Sequence, residues 1–255
     1  MKSSSLRRAP QGVGGVIQRM PWVTDSFAHQ PSQRIKILEG IARFIGRYKP
    51  ERILRIAVDG VDGVGKTMFA NELGSMVERM GRPVIRSSVD GFHNPREFRY
   101  RRGRTSPEGF YLDSYDYAAL RTLLLDPLGP GGSGAYCSAA FDHVSDSQLP
   151  VQTHMALAGS VVILDGLFLH RQELRETWDF SIFLDAPFDI TVPRGAARGP
   201  GWGGSPDPAA PSNRRYVEGQ QIYLRKNQPR ACANVVIDYS DLAAPSVVAW
   251  RLPAS

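Results

Sequence analysis

Apolar positions recur along the chain with two kinds of spacing. Between Ser32 and Tyr48, the residues Ile35, Leu38, Ile41, Ile45 and Tyr48 follow at intervals of three or four. That period predicts an amphipathic helix with Ser32 placed to cap it. Residues from Thr67 to Met80 read as a second helix closed by Gly81, and SYDYAALRTLLL (114–125) as a third, stopped by the turn DPLGPGGSG. Between the helical stretches lie short apolar runs: RILRIAVD (52–59), RPVIRSSVD (82–90), VVILDG (161–166), FSIFLD (180–185) and NVVID (234–238). Runs this short and this apolar predict strands buried on both faces. Their alternation with helices predicts an α/β fold, a parallel sheet flanked by helices on both faces.

Three of the strands end in aspartate, Asp59, Asp165 and Asp185, and Asp90 closes a fourth run. Ligands of such sheets bind beyond the carboxyl ends of the strands, so these acids are expected around one crevice. Residues 1–30 are rich in Gly, Ser, Pro and Arg without periodicity and are expected to form a flexible arm. The stretch GPGWGGSPDPAAPSN (199–213) is full of helix breakers and predicts a mobile loop.

Composition changes this picture little. Hydrophobic content of 42% and charged content of 22% suit a soluble globular protein. No apolar run approaches the roughly 18 residues of a membrane span, and the N-terminus has no apolar core of a secretory signal. Two cysteines, Cys137 and Cys232, make no disulfide framework, which points to a reduced cytoplasm. The net charge of +6 invites a nucleic-acid reading, yet only five residues are lysine. An arginine skew of this kind fits a GC-rich genome or small phosphorylated ligands. No basic stripe interleaved with aromatics is present, so neither nucleic acid nor membrane is expected as a partner.

The strongest chemical signal is Gly60-Val61-Asp62-Gly63-Val64-Gly65-Lys66-Thr67, which satisfies G-x-x-x-x-G-K-[ST]. Its glycines let backbone N–H groups approach phosphate oxygens, and the helix start at Lys66, Thr67 and Met68 adds its dipole. Lys66 can reach the β- and γ-phosphates, and the Thr67 hydroxyl can ligate Mg²⁺. The alternative is a chance glycine-rich turn, but the strand before it and the helix after it are what a nucleotide site requires. A kinase also needs a group to orient the attacking hydroxyl. Asp90, at the end of the second strand, could accept that proton, or could simply cap a turn.

VDGVDGVGKT, VDGFH, SPEGFYLDSYDY, AYCSAAFDH, VVILDGLFLHRQELRETWDFSIFLD and RRYVEGQQIYL occur here in that order. In these segments the chain resembles the uridine kinase–phosphoribulokinase–pantothenate kinase branch of P-loop kinases, and within it the uridine kinase-like proteins of actinobacteria. The resemblance covers about residues 50–240. It implies a single P-loop NTPase domain over 31–255 with a flavodoxin-like parallel sheet and a mobile arginine-containing lid at about 193–216. It implies ATP and Mg²⁺ as cofactors and a small nucleoside-like acceptor such as uridine or a modified nucleoside. Asp90 falls on the catalytic aspartate and Asp165 on the acid that holds Mg²⁺ with Thr67. Tyr111, Asp113, Tyr136, Phe141, Asp142 and His143 fall in the segments that embrace base and ribose, with His93 beside Asp90; Tyr111 and Phe141 suit the core equally well. Arg194 and Arg198 match arginines that clamp the transferring phosphoryl group, and Arg214 and Arg215 close the site from the far side.

The pattern also departs from the family. Pro193 and Gly195 interrupt the expected lid helix, and Gly199 stands where an aspartate commonly follows the arginine. These departures fit a lid that orders with substrate, or a modified nucleoside in a specialised pathway. Rival readings are a pantothenate-type or sugar-phosphate kinase and a non-catalytic nucleotide-dependent regulator. An acidic acceptor would require inward arginines among Arg96, Arg99, Arg101, Arg102 and Arg104. No N-K-x-D guanine signature is present, and His29, His154 and His170 lack metal-ligand spacing. Self-association is compatible with all of these readings.

Overall fold

The computed structural model describes residues 32–199 and 204–253; the expected arm over 1–30 and part of the Gly/Pro-rich loop, 200–203, lie outside the described residues. Ten strands occur among the described residues: β1 (Leu54–Gly60), β2 (Val84–Ser88), β3 (Ala135–Tyr136), β4 (Phe141–Asp142), β5 (Ser147–Gln148), β6 (His154–Met155), β7 (Val161–Gly166), β8 (Phe180–Asp185), β9 (Val235–Asp238) and β10 (Ser246–Trp250). Six of them form the central sheet in the order β10-β9-β8-β1-β7-β2. All neighbours run parallel except β10, which pairs antiparallel with β9. The five apolar runs read as strands are the five parallel ones. The register sets Val58 and Ser88 opposite Asp165, and Gly60 opposite Leu184, so the carboxyl ends of β1, β2, β7 and β8 form one edge.

The inner strands β1, β7 and β8 are buried along almost their whole length because both faces are covered, whereas the edge strand β2 turns polar at Arg86, Ser87 and Ser88. Leu54, Ile56, Val58, Val161 and Ile163 pack under α1 (Gln33–Arg47) and α2 (Lys66–Arg79). Ala57, Val162 and Leu164 face the opposite way, against α4 (Pro107–Asp113), α5 (Tyr117–Leu120) and α7 (Arg214–Asn227). Three further helices are α3 (Arg96–Arg99), α6 (Phe188–Ala196) and α8 (Pro229–Cys232). Ser32 caps α1 as expected, its hydroxyl accepting the Ile35 N–H.

The helix expected over 114–125 starts later and ends differently. The Asp116 carboxylate accepts the Ala119 N–H and begins α5 at Tyr117, whereas the Ser114 hydroxyl is spent on the Phe110 carbonyl. Residues Arg121–Leu125 then continue as a widened π-type turn. No helix of the described residues is long and apolar enough to cross a membrane.

Candidate functional site

The phosphate loop bridges the buried strand β1 and the first turn of α2. Gly63 has φ 75° and Gly65 φ 107°, a region that disfavours side chains. Space is equally decisive at Gly63, where a Cβ would come within 2.0 Å of the Thr191 carbonyl oxygen of α6. The Lys66 ammonium donates to the Val61 carbonyl across the loop at 3.0 Å. Beneath the loop, Asp59 is fully buried; one oxygen accepts the Gly60 N–H at 2.7 Å. The other meets His170 Nδ1 at 2.7 Å and accepts the Tyr223 hydroxyl. The Asp62 N–H donates to the Gln220 side-chain oxygen at 2.6 Å.

At the carboxyl edge of the sheet, Lys66, Thr67, Asp90, Asp165 and Arg198 line one polar cavity of about 80 Å³, with Asp62 at its side. Burial raises the Asp62 carboxyl above its ordinary range; Lys66 and Arg198 oppose that shift and Asp90 adds to it. The Thr67 hydroxyl donates to Asp165 at 2.7 Å. Asp90 sits in the 3-10 turn Val89–Phe92 after β2, and the Tyr115 hydroxyl donates to its carboxylate at 3.2 Å. Of the four strand-end acids expected around the crevice, Asp90 and Asp165 line it. Asp59 lies under the loop instead, and Asp185 pairs with Arg230.

The helix in the region expected to form the lid is more regular than its sequence suggests. Helix α6 runs through Pro193, which forfeits only one N–H donor. Gly195 is buried, and its amide lies 3.2 Å from where a Gly63 Cβ would stand, so α6 packs directly on the phosphate loop. Arg198 faces the cavity. Arg194 does not line it; its guanidinium donates to the carbonyls of Tyr239, at 3.0 Å, and Ser240.

On the acceptor side the expected residues divide. His93 stacks on His143 at 4.8 Å and meets the Tyr115 ring at a tilt, 4.6 Å away, with its Nδ1 2.9 Å from the Asp90 carbonyl. Burial lowers the His93 pKa against the opposing charge of Asp90. Tyr136 meets the His154 ring at a tilt, and Asp142 accepts the Val144 N–H and the Ser145 hydroxyl in the β4–β5 turn. Phe141 is buried. Tyr111 is also buried, its hydroxyl donating to Asn227 at 2.8 Å. Both oxygens of buried Asp113 are taken, by Arg101 at 2.7 Å and Arg102 at 2.9 Å. Arg215 is tied to the carbonyls of Arg99, Gly103 and Ser106, and Arg214 pairs with Glu218 one turn along α7. Tyr111, Asp113 and Arg215 are thus taken up inside the fold. Arg99, Arg101 and Arg102 are each paired with an acid of the protein itself.

Sequence reasoning missed Tyr115, Gln220, His170 and Tyr223. All four lie inside segments that carry the resemblance, but the partners of Gln220, His170 and Tyr223 are more than a hundred positions away, so nothing local marks their roles.

The donor set fits a hard cation, since a hydroxyl and a carboxylate oxygen meet beside the phosphate loop. Among the described residues no group of three or more His, Cys, Asp or Glu could hold a metal unaided. Phosphate oxygens would therefore have to complete the shell.

Comparison with known proteins bears on the fold and the family. Solved structures share the fold: one described as a possible uridine kinase from Bacillus stearothermophilus is 23% identical, with a TM-score of 0.61, covering 79% of this chain and 97% of that one. D-glycerate 3-kinase from Cryptococcus neoformans is 11% identical at TM-score 0.53, covering 83% and 99%. Phosphoribulokinase from Rhodobacter spheroides is 12% identical at TM-score 0.51, covering 81% and 77%. No curated protein matches the sequence significantly. Residues 55–199 match the model of the phosphoribulokinase/uridine kinase family, and the chain belongs to that family.

Proposed function

We propose that this kinase transfers the γ-phosphoryl group of ATP to a hydroxyl of a small nucleoside-like acceptor. One observation carries the reading: Lys66, Thr67, Arg198 and Asp90 converge on a single cavity. The backbone N–H groups of 60–67 and the Lys66 ammonium cradle the phosphates. Thr67 and Asp165 would hold Mg²⁺, which neutralises phosphate charge when bound. Asp90 accepts the proton of the attacking hydroxyl, and Tyr115 fixes the carboxylate that does so. Arg198 offers a planar fork of donors to the phosphoryl oxygens as charge redistributes.

The flat His93–His143 stack beside Asp90 supports a planar acceptor group such as a nucleobase. The pairing of Arg99, Arg101 and Arg102 inside the protein supports a neutral acceptor over an acidic one. One observation favours a second reading, a sugar or other small polyol. Asp113, the carboxylate expected to hold a ribose diol, has both oxygens committed to arginines. Incubation with Mg·ATP and a panel of nucleosides, sugars, pantothenate and sugar phosphates separates the two. The proposal expects ADP together with a nucleoside heavier by one HPO₃ unit. A phosphorylated sugar alone supports the second reading, and no ADP with any acceptor contradicts both.

A further inference from the structure

Asp165 is not a free carboxylate waiting for a cation. Its Oδ2 accepts the Thr67 hydroxyl, and its Oδ1 accepts Arg86 Nη2 at 2.6 Å. Arg86 lies on β2 opposite Ile163 of β7, two residues before Asp165. Its guanidinium is fixed on several sides, with Nε donating to Asn71 Oδ1 of α2 at 3.1 Å and Nη1 to the carbonyls of Ser87, at 3.1 Å, and Ile163. Gly74 of α2 makes room for the stem, since a Cβ there would stand 3.3 Å from Arg86 Cδ. A planar fork gripped by two strands and a helix does not swing away as an exposed lysine would.

We infer that Arg86 is a positioning residue that aims Asp165 at Thr67 and, by its fixed positive charge, keeps a bare divalent cation from settling on Asp165 before nucleotide arrives. The inference rests on the reading that Thr67 and Asp165 face the metal of Mg·ATP. Three features converge on it. Each Asp165 oxygen already has a partner, the guanidinium offsets the carboxylate charge at contact distance, and no cluster of acids or histidines among the described residues supplies other ligands. A cation approaching alone therefore meets little net attraction. A cation carried by triphosphate brings its own anionic oxygens and needs from the protein only the oriented Thr67–Asp165 pair. The same guanidinium ties β2 to β7 four residues before Asp90, so it also fixes the acid of the metal side relative to the base of the acceptor side.

The test titrates Mn²⁺ into nucleotide-free protein and reads free Mn²⁺ by electron paramagnetic resonance, which requires no turnover. The wild-type protein is expected to show no site on Asp165. Arg86→Met is expected to bind Mn²⁺ about tenfold more tightly or better, because a contact charge is removed. Arg86→Lys, which keeps the charge but loses the fork, should fall between wild type and Arg86→Met, and Asp165→Asn added to Arg86→Met should abolish the gain. Tight Mn²⁺ binding by wild-type protein that Asp165→Asn removes would overturn the inference, and that arm needs no Arg86 variant to fold. Equal affinity in wild type and Arg86→Met, or a gain that survives Asp165→Asn, would overturn it too. Failure of the kinase reading appears elsewhere, as absence of ADP in the acceptor panel, and leaves this titration interpretable.

Discussion

The side-chain oxygen of Gln220 accepts the backbone N–H of Asp62 at 2.6 Å, and the Gln220 amide donates to the Tyr216 carbonyl at 3.1 Å. Helix α7 thereby holds the phosphate loop in the middle of its turn. The same helix packs on the acceptor side, where Gly219 lies so close to Phe110 and the Pro107 carbonyl that a Cβ would come within 2.8 Å of each. The phosphate loop and the wall proposed for the acceptor are thus joined through one helix. Gln220→Ala should weaken binding of a fluorescent ATP analogue about fivefold to tenfold, the loss of one buried hydrogen bond of about 1 kcal/mol. The loss should be the same with and without acceptor.

Arg198 and Arg194 should separate cleanly. Arg198 faces the cavity, so Arg198→Ala should lower kcat by about a hundredfold or more while ATP binding changes little. Arg194 serves two backbone carbonyls, so Arg194→Ala should cost about 1–3 kcal/mol of stability and spare kcat. Steady-state kinetics and urea unfolding on both variants check the pair.

These contrasts show where sequence was informative. The step from β1 through Gly60–Thr67 into α2 was legible because the chemistry of one short segment dictates it. Strands β1, β7 and β8 were legible because burial on both faces leaves nearly continuous apolar runs, and the edge strand β2 because its short run Val84–Ile85 sits between turn signals. Helix α7 was not, because its buried face carries Arg215, Gly219 and Gln220, whose partners lie far off in sequence and break the apolar period. Asp113 looked available to a ribose for a related reason. Nothing in its local pattern shows that Arg101 and Arg102, placed by α3 and the turn after it, consume both oxygens. The regular α6 was obscured by Pro193, whose single missing donor matters less than the close approach that Gly63 and Gly195 permit.

Phe168 holds the acceptor-side core together. It is fully buried, touches the rings of Phe110, Tyr111, Tyr115 and Tyr223, and adopts φ 64°. Phe168→Ala should destabilise by about 3–5 kcal/mol through the cavity it leaves. Because Tyr115 and Tyr223 lean on this ring, the acceptor wall should loosen as well. Urea unfolding measures the first effect, and acceptor KM the second.

His93 gives the protein a pH dependence of definite sign. Burial lowers its folded-state pKa below the ordinary 6.5. As pH falls below 6.5, the unfolded chain takes up a proton that the folded chain resists, so stability declines; above 6.5 the contribution is constant. The decline levels off once the folded-state pKa is passed. His93→Gln should flatten the acid limb of a plot of unfolding free energy against pH.

The central claim places Asp90 as the base across one cavity from the triphosphate, and a single comparison tests it most directly. ATP affinity and single-turnover phosphoryl transfer are measured side by side for wild type and Asp90→Asn. The account predicts unchanged ATP binding with transfer slowed by about a hundredfold to ten-thousandfold, the worth of a positioned base. Transfer by the Asp90→Asn variant at the wild-type rate would contradict it.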